Sequence, residues 1–239
     1  MAPFSWGGFH AKVRCVSENH PSEAPPVLYS FRRCPYAMRA RMALAASGQV
    51  CELRDILLRE RPEELYAASP KGTVPVLVLE GGRVIDESLE VMLWSLGRSD
   101  PEGWLGDFAP ELPALLALIS ECDGEFKRNL DGYKYASRGD ASREGEHRTQ
   151  GAEFLVRLDR MLDANDYLFG AKASLADVAI FPFVRQFAYA DKGWFDEMPW
   201  PHLRSWLEGW LASPRFVAVM KKGPIWRAGD AAVWTCWAE

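Results

Sequence analysis

The chain has 239 residues, of which 48% are hydrophobic and 26% charged, and its formal net charge is -5. These values are ordinary for a globular protein, and a chain of this length can bury a sizeable core without disulfides or metals. The mildly acidic balance argues against nucleic acid as the main partner, since nucleic-acid binding usually requires a basic face.

The first predicted elements are a polar arm, a strand and a helix. Residues 1–26 are rich in Pro, Ser, Glu and His without an apolar run, which predicts a poorly ordered N-terminal arm rather than a secretory signal. Val27–Phe31 is β-branched and aromatic, as is typical of a buried strand. Pro35–Ser47 carries apolar residues at helical spacing, and proline suits a first helical position, where its missing N–H has no partner.

The next elements complete a four-stranded pattern. Val50–Leu57 predicts a second strand, Pro62–Ala67 a short helix and Val74–Leu79 a third strand. Gly81–Gly82 predicts a hairpin turn into a fourth strand, and Ser88 begins a helix. This order predicts a thioredoxin-like α/β domain with a mixed four-stranded sheet. Its first two strands should be parallel because a helix connects them.

After this domain the pattern becomes helical. A stretch at 99–110 holds Asp, Gly and two prolines and reads as a linker. Apolar stripes at helical spacing then start at Leu112, Phe154 and Leu203, whereas the charged stretch Ser137–Arg148 predicts an exposed loop or a helix end. The expected organisation is an arm at 1–26, a thioredoxin-like domain at 27–98, a linker at 99–110 and an all-helical domain at 111–239.

The cysteines indicate free thiols. The chain contains Cys15, Cys34, Cys51, Cys122 and Cys236. Their number is odd and no two are spaced as C-x-x-C, which favours neither a disulfide framework nor a zinc site. Free thiols predict a reducing compartment, so we expect a cytoplasmic protein without a metal. No apolar run approaches the roughly 20 residues of a membrane helix, and we expect no membrane partner.

Cys34 differs from the other cysteines in its position. It follows a predicted strand, precedes Pro35 at a predicted helix N-terminus, and comes after Arg32 and Arg33. A helix N-terminus carries about half a positive charge and free N–H donors, so a thiol pKa there can fall from ~8.5 to about 3.5–7.5. Because the arginines should act in the same direction, we predict that Cys34 is the reactive centre and is ionised at neutral pH.

Three motifs in combination resemble a known family. They are Cys34-Pro35-Tyr36-Ala37, Thr73-Val74-Pro75-Val76-Leu77 and Asp86-Glu87-Ser88. Together they resemble the glutathione transferase superfamily, and most closely its cysteine-type members, the omega class and related bacterial proteins. The resemblance runs from Val27 to about Trp226. It implies the glutathione transferase fold, glutathione as co-substrate, no metal, a small hydrophobic or disulfide acceptor, and a homodimer.

The resemblance also implies how glutathione is held near the sulfur. Val74 would offer its backbone N–H and C=O to the cysteinyl part of glutathione, in the manner of an added strand. Pro75 would follow a cis peptide bond. Tyr36 would lie beside the thiol.

The two ends of glutathione would be held by other residues. By the same resemblance, Glu87 would bind the α-ammonium of the γ-glutamyl end, and Ser88 its α-carboxylate at a helix start. Arg61 would meet the glycyl carboxylate, with Lys71 as a weaker candidate for the same role.

Two features of the helical half remain. Ser174 and Asp177 are spaced as a capping box, which we assign to folding rather than to catalysis. Several aromatic residues either pack the core or line an acceptor pocket opposite the thiol. These are Phe126, Tyr133, Tyr135, Trp226, Trp234 and Trp237.

The motif residues favour monothiol chemistry. A dithiol cycle needs a second cysteine three positions after the first, where this chain has Ala37. In the remaining route the Cys34 thiolate attacks an oxidised or glutathionylated substrate, and free glutathione resolves the mixed disulfide. Disulfide reduction, deglutathionylation and dehydroascorbate reduction fit this cycle. Two alternatives stay open: conjugation of glutathione to an electrophilic small molecule, and a non-catalytic interaction protein on the same scaffold.

Overall fold

The computed structural model describes residues 25–135, 141–235 and 237, so nearly all of the expected N-terminal arm lies outside the described residues. The first part of the described chain contains the strands and helices in the predicted order. They are β1 (Val27–Ser30), α1 (Pro35–Ala46), β2 (Glu52–Asp55), α2 (Glu63–Ala68), β3 (Val76–Val78), β4 (Val84–Ile85) and α3 (Ser88–Arg98). We call β1 to α3 the sheet domain.

The four strands form one mixed sheet in the order β2-β1-β3-β4. β1 and β2 are parallel, as the helical crossover predicts, and β3 is antiparallel to both β1 and β4. The turn before β4 passes through Gly81 and Gly82, which have φ values of 75° and 81°. This left-handed conformation is one that glycine adopts without a steric penalty. The predicted thioredoxin-like order is therefore confirmed.

The described part of the chain beyond α3 is mainly helical. Its helices are α4 (Leu112–Glu121), α5 (Lys127–Lys134), α6 (Glu144–Asp163), α7 (Leu175–Ala188), α8 (Lys192–Glu197), α9 (Pro201–Ala212) and α10 (Pro214–Val219). We call this part the helical domain. A π-helical turn, Cys122–Phe126, joins α4 to α5, and the predicted charged stretch becomes helical from Glu144 onward. No helix in the described ranges is long and apolar enough to cross a membrane.

Two apolar cores lie on opposite faces of the sheet. The larger one contains Leu28 and unites the sheet domain with the helical domain around α7. The second core contains Tyr29, Leu65, Val74 and Trp226. Because successive strand residues point to opposite faces, Leu28 and Tyr29 separate the two cores.

The predicted capping box lies at the start of α7, and its aspartate also accepts hydrogen bonds from residues outside that helix. Asp177 is fully buried, and its Oδ2 accepts from the backbone N of Ser174 at 2.9 Å and from the Ser174 hydroxyl at 2.6 Å. Its Oδ1 accepts from Leu168 N and Trp206 Nε1, each at 2.9 Å. Burial raises the pKa of the Asp177 carboxyl, and these hydrogen bonds act in the opposite direction. One carboxylate thus joins α7 to α9 and to the preceding loop.

The C-terminal tail, residues 221–235, returns to the sheet domain. Leu53 N donates to Val233 O at 2.7 Å, and Thr235 N donates to Cys51 O at 2.9 Å. β2 is an outer strand of the sheet, so these bonds continue the ladder beyond it. The tail therefore covers one edge of the sheet.

Trp226 packs the same tail against the second core. Its backbone N donates to Asp55 O at 2.8 Å, and its ring stands edge-on to Tyr29 with centroids 6.0 Å apart. The Arg54 guanidinium lies 4.4 Å from the ring centroid. The ring thus fills space beneath the sheet, as expected for a core tryptophan.

Candidate active site

Cys34 lies between β1 and α1, and its sulfur faces the loop before β3. The residue is extended, with φ -76° and ψ 124°, and Pro35 is the first residue of α1. The half-buried thiol donates to Val74 O, with the sulfur 3.6 Å from the oxygen. The Val74–Pro75 peptide bond is cis, as the resemblance implied. The fold therefore brings together the predicted reactive sulfur and the predicted backbone-binding residue.

Burial raises the pKa of the Cys34 thiol above its ordinary value. The backbone N–H groups of Ala37 and Tyr36, and the cations Lys127 and Arg39, act in the opposite direction. The predicted lowering of this pKa is therefore wrong, because removal of the sulfur from water outweighs the favourable helix N-terminus.

The cations that act on the sulfur are not those expected from the adjacent sequence. Arg32 donates from its backbone N to Asp55 Oδ1 at 3.0 Å, and from Nη1 to Met220 O at 3.5 Å. The Arg33 guanidinium lies 5.6 Å from the Phe31 ring centroid. The nearby positive charge comes instead from α1 and from α5 of the helical domain. No sequence spacing could have indicated the α5 lysine.

Tyr36 lies where the two domains meet. Its ring is edge-on to Phe183 of α7, with centroids 4.8 Å apart. The Arg39 guanidinium lies 5.1 Å and Lys127 Nζ 5.9 Å from the Tyr36 ring centroid. Burial, and then the Asp123 carboxylate, raise the pKa of the Tyr36 hydroxyl, which therefore stays protonated at neutral pH.

Arg39 was assigned no role from the sequence, yet it touches two predicted site residues. Its side chain is 2% exposed, Nε donates to Ser88 Oγ at 3.0 Å, and the guanidinium packs against Tyr36. Nη1 and Nη2 donate to the two carboxylate oxygens of Asp123, at 2.9 and 2.7 Å. The two arginines of the largely apolar α1, Arg39 and Arg41, were the available signal, since arginine is rarely buried unless paired.

The γ-glutamyl side of the predicted site is a polar cluster at the start of α3. Ser88 is the buried first residue of the helix, whereas the Glu87 carboxylate is 61% exposed and pairs with Lys71 Nζ at 2.6 Å. Lys71 also contacts Asp86 at 3.2 Å. The Ser69 hydroxyl donates to Asp86 at 2.7 Å and lowers the pKa of that carboxyl. Lys71 is thus occupied by acidic partners, which weakens it as a candidate for the glycyl carboxylate.

Three further candidates are Arg61, shortly before α2, and two aromatic residues of the helical domain. Arg61 is exposed, directly before Pro62 at the N-cap of α2, and makes no hydrogen bond or ion pair among the described residues. Phe126 and Tyr133 are buried and pack on Phe187, with centroid distances of 5.7 and 5.0 Å. For these two aromatic residues the core interpretation is confirmed.

The described residues hold no cluster of three or more side chains suited to bind a metal ion. The candidate site offers a thiol, the backbone groups of Val74 and the Ser88 hydroxyl. Beside Ser88 lie the Glu87 carboxylate and the ion pair of buried Arg39 with partly exposed Asp123.

Comparisons with known sequences point to one enzyme family. The family model "Glutathione S-transferase, N-terminal domain" matches residues 28–102, and "Glutathione S-transferase, C-terminal domain" matches residues 137–209. A probable glutathione transferase of Aplysia californica is 40% identical over 70 residues, which cover 29% of this chain and 76% of that protein. Glutathione S-transferase omega-1 of Rattus norvegicus is 26% identical over 199 residues, 83% of this chain and 77% of the relative. Maleylacetoacetate isomerase of Mus musculus is 28% identical over 191 residues, 74% and 83% of the two chains.

Solved structures share the fold. Glutathione transferase Omega 3C from Trametes versicolor aligns with a TM-score of 0.70 at 18% identity, covering 86% of this chain and 92% of that one. A glutathione transferase from Burkholderia graminis, solved with two glutathione molecules per subunit, aligns with a TM-score of 0.70 at 17% identity, covering 82% and 87%. These likenesses show a thioredoxin-like domain followed by a helical domain. Together with the matches to both domains of one enzyme family, they show that the chain belongs to the glutathione S-transferase family.

Proposed function

We propose that this protein is a cysteine-type glutathione transferase that transfers or reduces thiols through a mixed disulfide at Cys34. The observation that carries this proposal is the half-buried sulfur of Cys34, 3.6 Å from the carbonyl oxygen of Val74. If the Val74 backbone pairs with the cysteinyl part of glutathione, the glutathione sulfur is delivered to the same place. The omega-class relative supports this assignment.

The proposed binding mode uses the remaining candidates. The exposed Glu87 carboxylate suits the α-ammonium of glutathione, and Ser88 at the start of α3 suits the α-carboxylate. Arg61, exposed before α2, would meet the glycyl carboxylate, and Tyr36 would border the acceptor. The bound glutathione in the Burkholderia graminis relative supports this ligand.

The proposed reaction has two exchanges. The Cys34 thiolate attacks the glutathionyl sulfur of a mixed disulfide, and the substrate thiolate leaves and takes up a proton. The thiolate of a second glutathione then attacks the same glutathionyl sulfur, which releases oxidised glutathione and returns the Cys34 thiolate. The N–H groups of Tyr36 and Ala37 and the positive charges of Lys127 and Arg39 favour the anion that this cycle requires.

One observation favours a second candidate function. Since burial raises the pKa of Cys34, its thiol is mostly protonated at neutral pH and could donate a hydrogen bond to a glutathione thiolate. Glutathione would then be the nucleophile toward an electrophilic carbon, with Cys34 as a helper. The likeness to a maleylacetoacetate isomerase is compatible with such addition chemistry.

Comparing Cys34→Ser with the unaltered protein on two substrates separates these functions. A glutathione mixed disulfide reports thiol transfer, and an aryl halide reports conjugation. We expect at least a hundredfold loss on the disulfide and little change on the aryl halide. Cys51→Ser is the matched control, because Cys51 is a buried cysteine at the start of the β2 segment.

The other outcomes have defined meanings. Equal activity of Cys34→Ser and the unaltered protein on both substrates would refute a catalytic sulfur. No turnover of either substrate, together with no retention on glutathione resin, would favour the non-catalytic alternative.

From family membership we also propose a cytoplasmic homodimer that acts on a small hydrophobic or disulfide acceptor. Closed twofold pairs are the commonest assemblies of soluble oligomers. Light scattering that gives the mass of a single chain would refute the dimer.

A further inference from the structure

Arg39 connects the proposed glutathione site to the helical domain. Its three nitrogens are all used: Nε donates to Ser88 Oγ at 3.0 Å, and Nη1 and Nη2 donate to Asp123 at 2.9 and 2.7 Å. Asp123 lies in the π-helical turn between α4 and α5. A bidentate pair of arginine and carboxylate holds the planar guanidinium in one orientation. The direction of the Nε–H bond toward Ser88 is therefore set by the helical domain.

This contact determines what the Ser88 hydroxyl can do. A serine hydroxyl has one proton to donate and two lone pairs that accept. Because Arg39 Nε–H occupies one lone pair, the Ser88 proton must point away from the guanidinium. A neighbouring positive charge also makes the hydroxyl a stronger donor to an anion.

The start of α3 adds to the same anion-binding capacity. The first N–H groups of a helix have no partner within the helix, and Ser88 is the first residue of α3. An oriented hydroxyl and free N–H groups can together hold one carboxylate. Ser88 itself is buried, so the direction of its proton is constrained by packing as well.

We propose that Arg39 is a positioning residue that orients the Ser88 hydroxyl toward the α-carboxylate of the γ-glutamyl group, with Asp123 holding Arg39 in place. This inference rests on the proposed function, which places that carboxylate at Ser88. It follows that recognition of glutathione depends on a hydrogen-bonded contact between the two domains, and that Asp123 affects an anion it does not touch.

The test uses two ligands that differ only in the carboxylate. They are glutathione and 4-aminobutanoyl-cysteinyl-glycine, which lacks the α-carboxylate of the γ-glutamyl group. The protein variant is the double replacement Arg39→Met with Asp123→Leu. Arg39 is buried and Asp123 is partly exposed, so replacing both leaves no unpaired charge, whereas removing Asp123 alone leaves a buried guanidinium without its partner. Dissociation constants for both ligands are measured by calorimetry.

The expected result is a loss of discrimination. The unaltered protein should bind glutathione about 10- to 100-fold more tightly than the analogue, which is the range for a hydrogen bond to a charged group. In the double variant this ratio should fall to about threefold or less, while binding of the analogue stays the same. Arg41→Met is the matched control, since Arg41 is a buried arginine on the same helix whose Nε and Nη1 have no hydrogen-bond partner among the described residues. Its ratio should not change.

Each contrary result has its own meaning. An equal loss of affinity for both ligands would show that Arg39 only supports the fold, and would overturn the inference. If the unaltered protein binds both ligands equally, or binds neither, the proposed position of glutathione is wrong instead. Should the double variant not fold, the single variant Asp123→Asn replaces it. An unchanged ratio in Asp123→Asn would also overturn the inference.

Discussion

The sulfur of Cys34 is subject to two opposing electrostatic influences. Its burial disfavours the anion, whereas the N–H groups of Ala37 and Tyr36 and the charges of Lys127 and Arg39 favour it. The first influence is the larger, so the pKa of the Cys34 thiol in the folded protein lies above its ordinary value. The thiolate fraction is therefore small at neutral pH and increases as the pH approaches the raised pKa.

The raised pKa of the Cys34 thiol leads to a prediction for the pH dependence of its alkylation. The rate at which iodoacetamide modifies Cys34 should rise continuously from about pH 6 to above pH 9, because only the thiolate reacts. Mass spectrometry of the peptide containing Cys34 measures the rate, and a small-molecule thiol serves as the reference. A rate that is already constant at about pH 7 would contradict the raised pKa.

The sequence indicates some residues of the site but not others. Cys34 stands out by its own motif, and the family resemblance, which rests on short contiguous motifs, implied Val74 and the cis bond before Pro75. Lys127 could not be predicted, since its position relative to the sulfur depends on how α5 packs against α1, and Arg39 was signalled only as an arginine in a largely apolar helix. The direction in which the pKa of the Cys34 thiol is shifted was also missed, because burial of a side chain is a property of the packed molecule.

Among the elements, α7 shows how a local capping motif acquires a tertiary role. A capping box needs only Ser174 and Asp177, and the spacing alone predicted it. The structure adds Leu168 N and Trp206 Nε1 as donors to the same carboxylate. Loss of that carboxylate would leave buried donors in three separate parts of the helical domain.

Asp177→Ala should therefore destabilise the protein by more than a cap alone accounts for. A lost cap costs about 0.5–2 kcal/mol, and each unsatisfied buried donor adds about 1–3 kcal/mol. We expect a loss of roughly 3–5 kcal/mol in the free energy of unfolding, measured by urea titration.

The matched control for this prediction is Asp191→Ala. Asp191 is an exposed N-cap of α8 whose side chain accepts only from Trp194 N, at 3.0 Å, among the described residues. Its loss should reduce stability by about 1 kcal/mol. Equal losses for the two variants would show that the additional donors to Asp177 contribute nothing.

The order of the elements was more predictable than their junctions. Alternating strands and the Gly81–Gly82 turn carry local signals in the sequence, and the structure contains both. The π-helical turn Cys122–Phe126 carries none, because its apolar residues continue the helical spacing of α4. The pairing of the tail with β2 was also missed, since it joins segments that are distant in the chain.

For the whole molecule, the C-terminal tail contributes to the sheet domain although it follows the helical domain. Trp226 lies in the same core as Val74 and Leu65, and Cys34 packs against that core. The tail thus supports both the loop before cis-Pro75 and α2. The position of the proposed active site depends on residues from both ends of the described chain.

Trp226→Ala should consequently destabilise the protein. Truncating a buried tryptophan costs about 3–5 kcal/mol, because transfer energy is lost and a cavity remains. Trp234→Ala is the matched control on the same tail, since Trp234 is 46% exposed. This substitution should lower the free energy of unfolding by about 1 kcal/mol or less. Thermal unfolding of both variants provides the measurement, and equal shifts in Tm would contradict the assignment of Trp226 to the core.

The bonds between the tail and β2 also have a consequence for solubility. An uncovered outer strand presents unpaired N–H and C=O groups that can act as a template for another chain. Proteolysis between Met220 and Trp226 would uncover β2 and remove the indole from beneath the sheet in a single cut. A preparation nicked at this point should therefore self-associate strand to strand, even though the helices that follow α3 are intact.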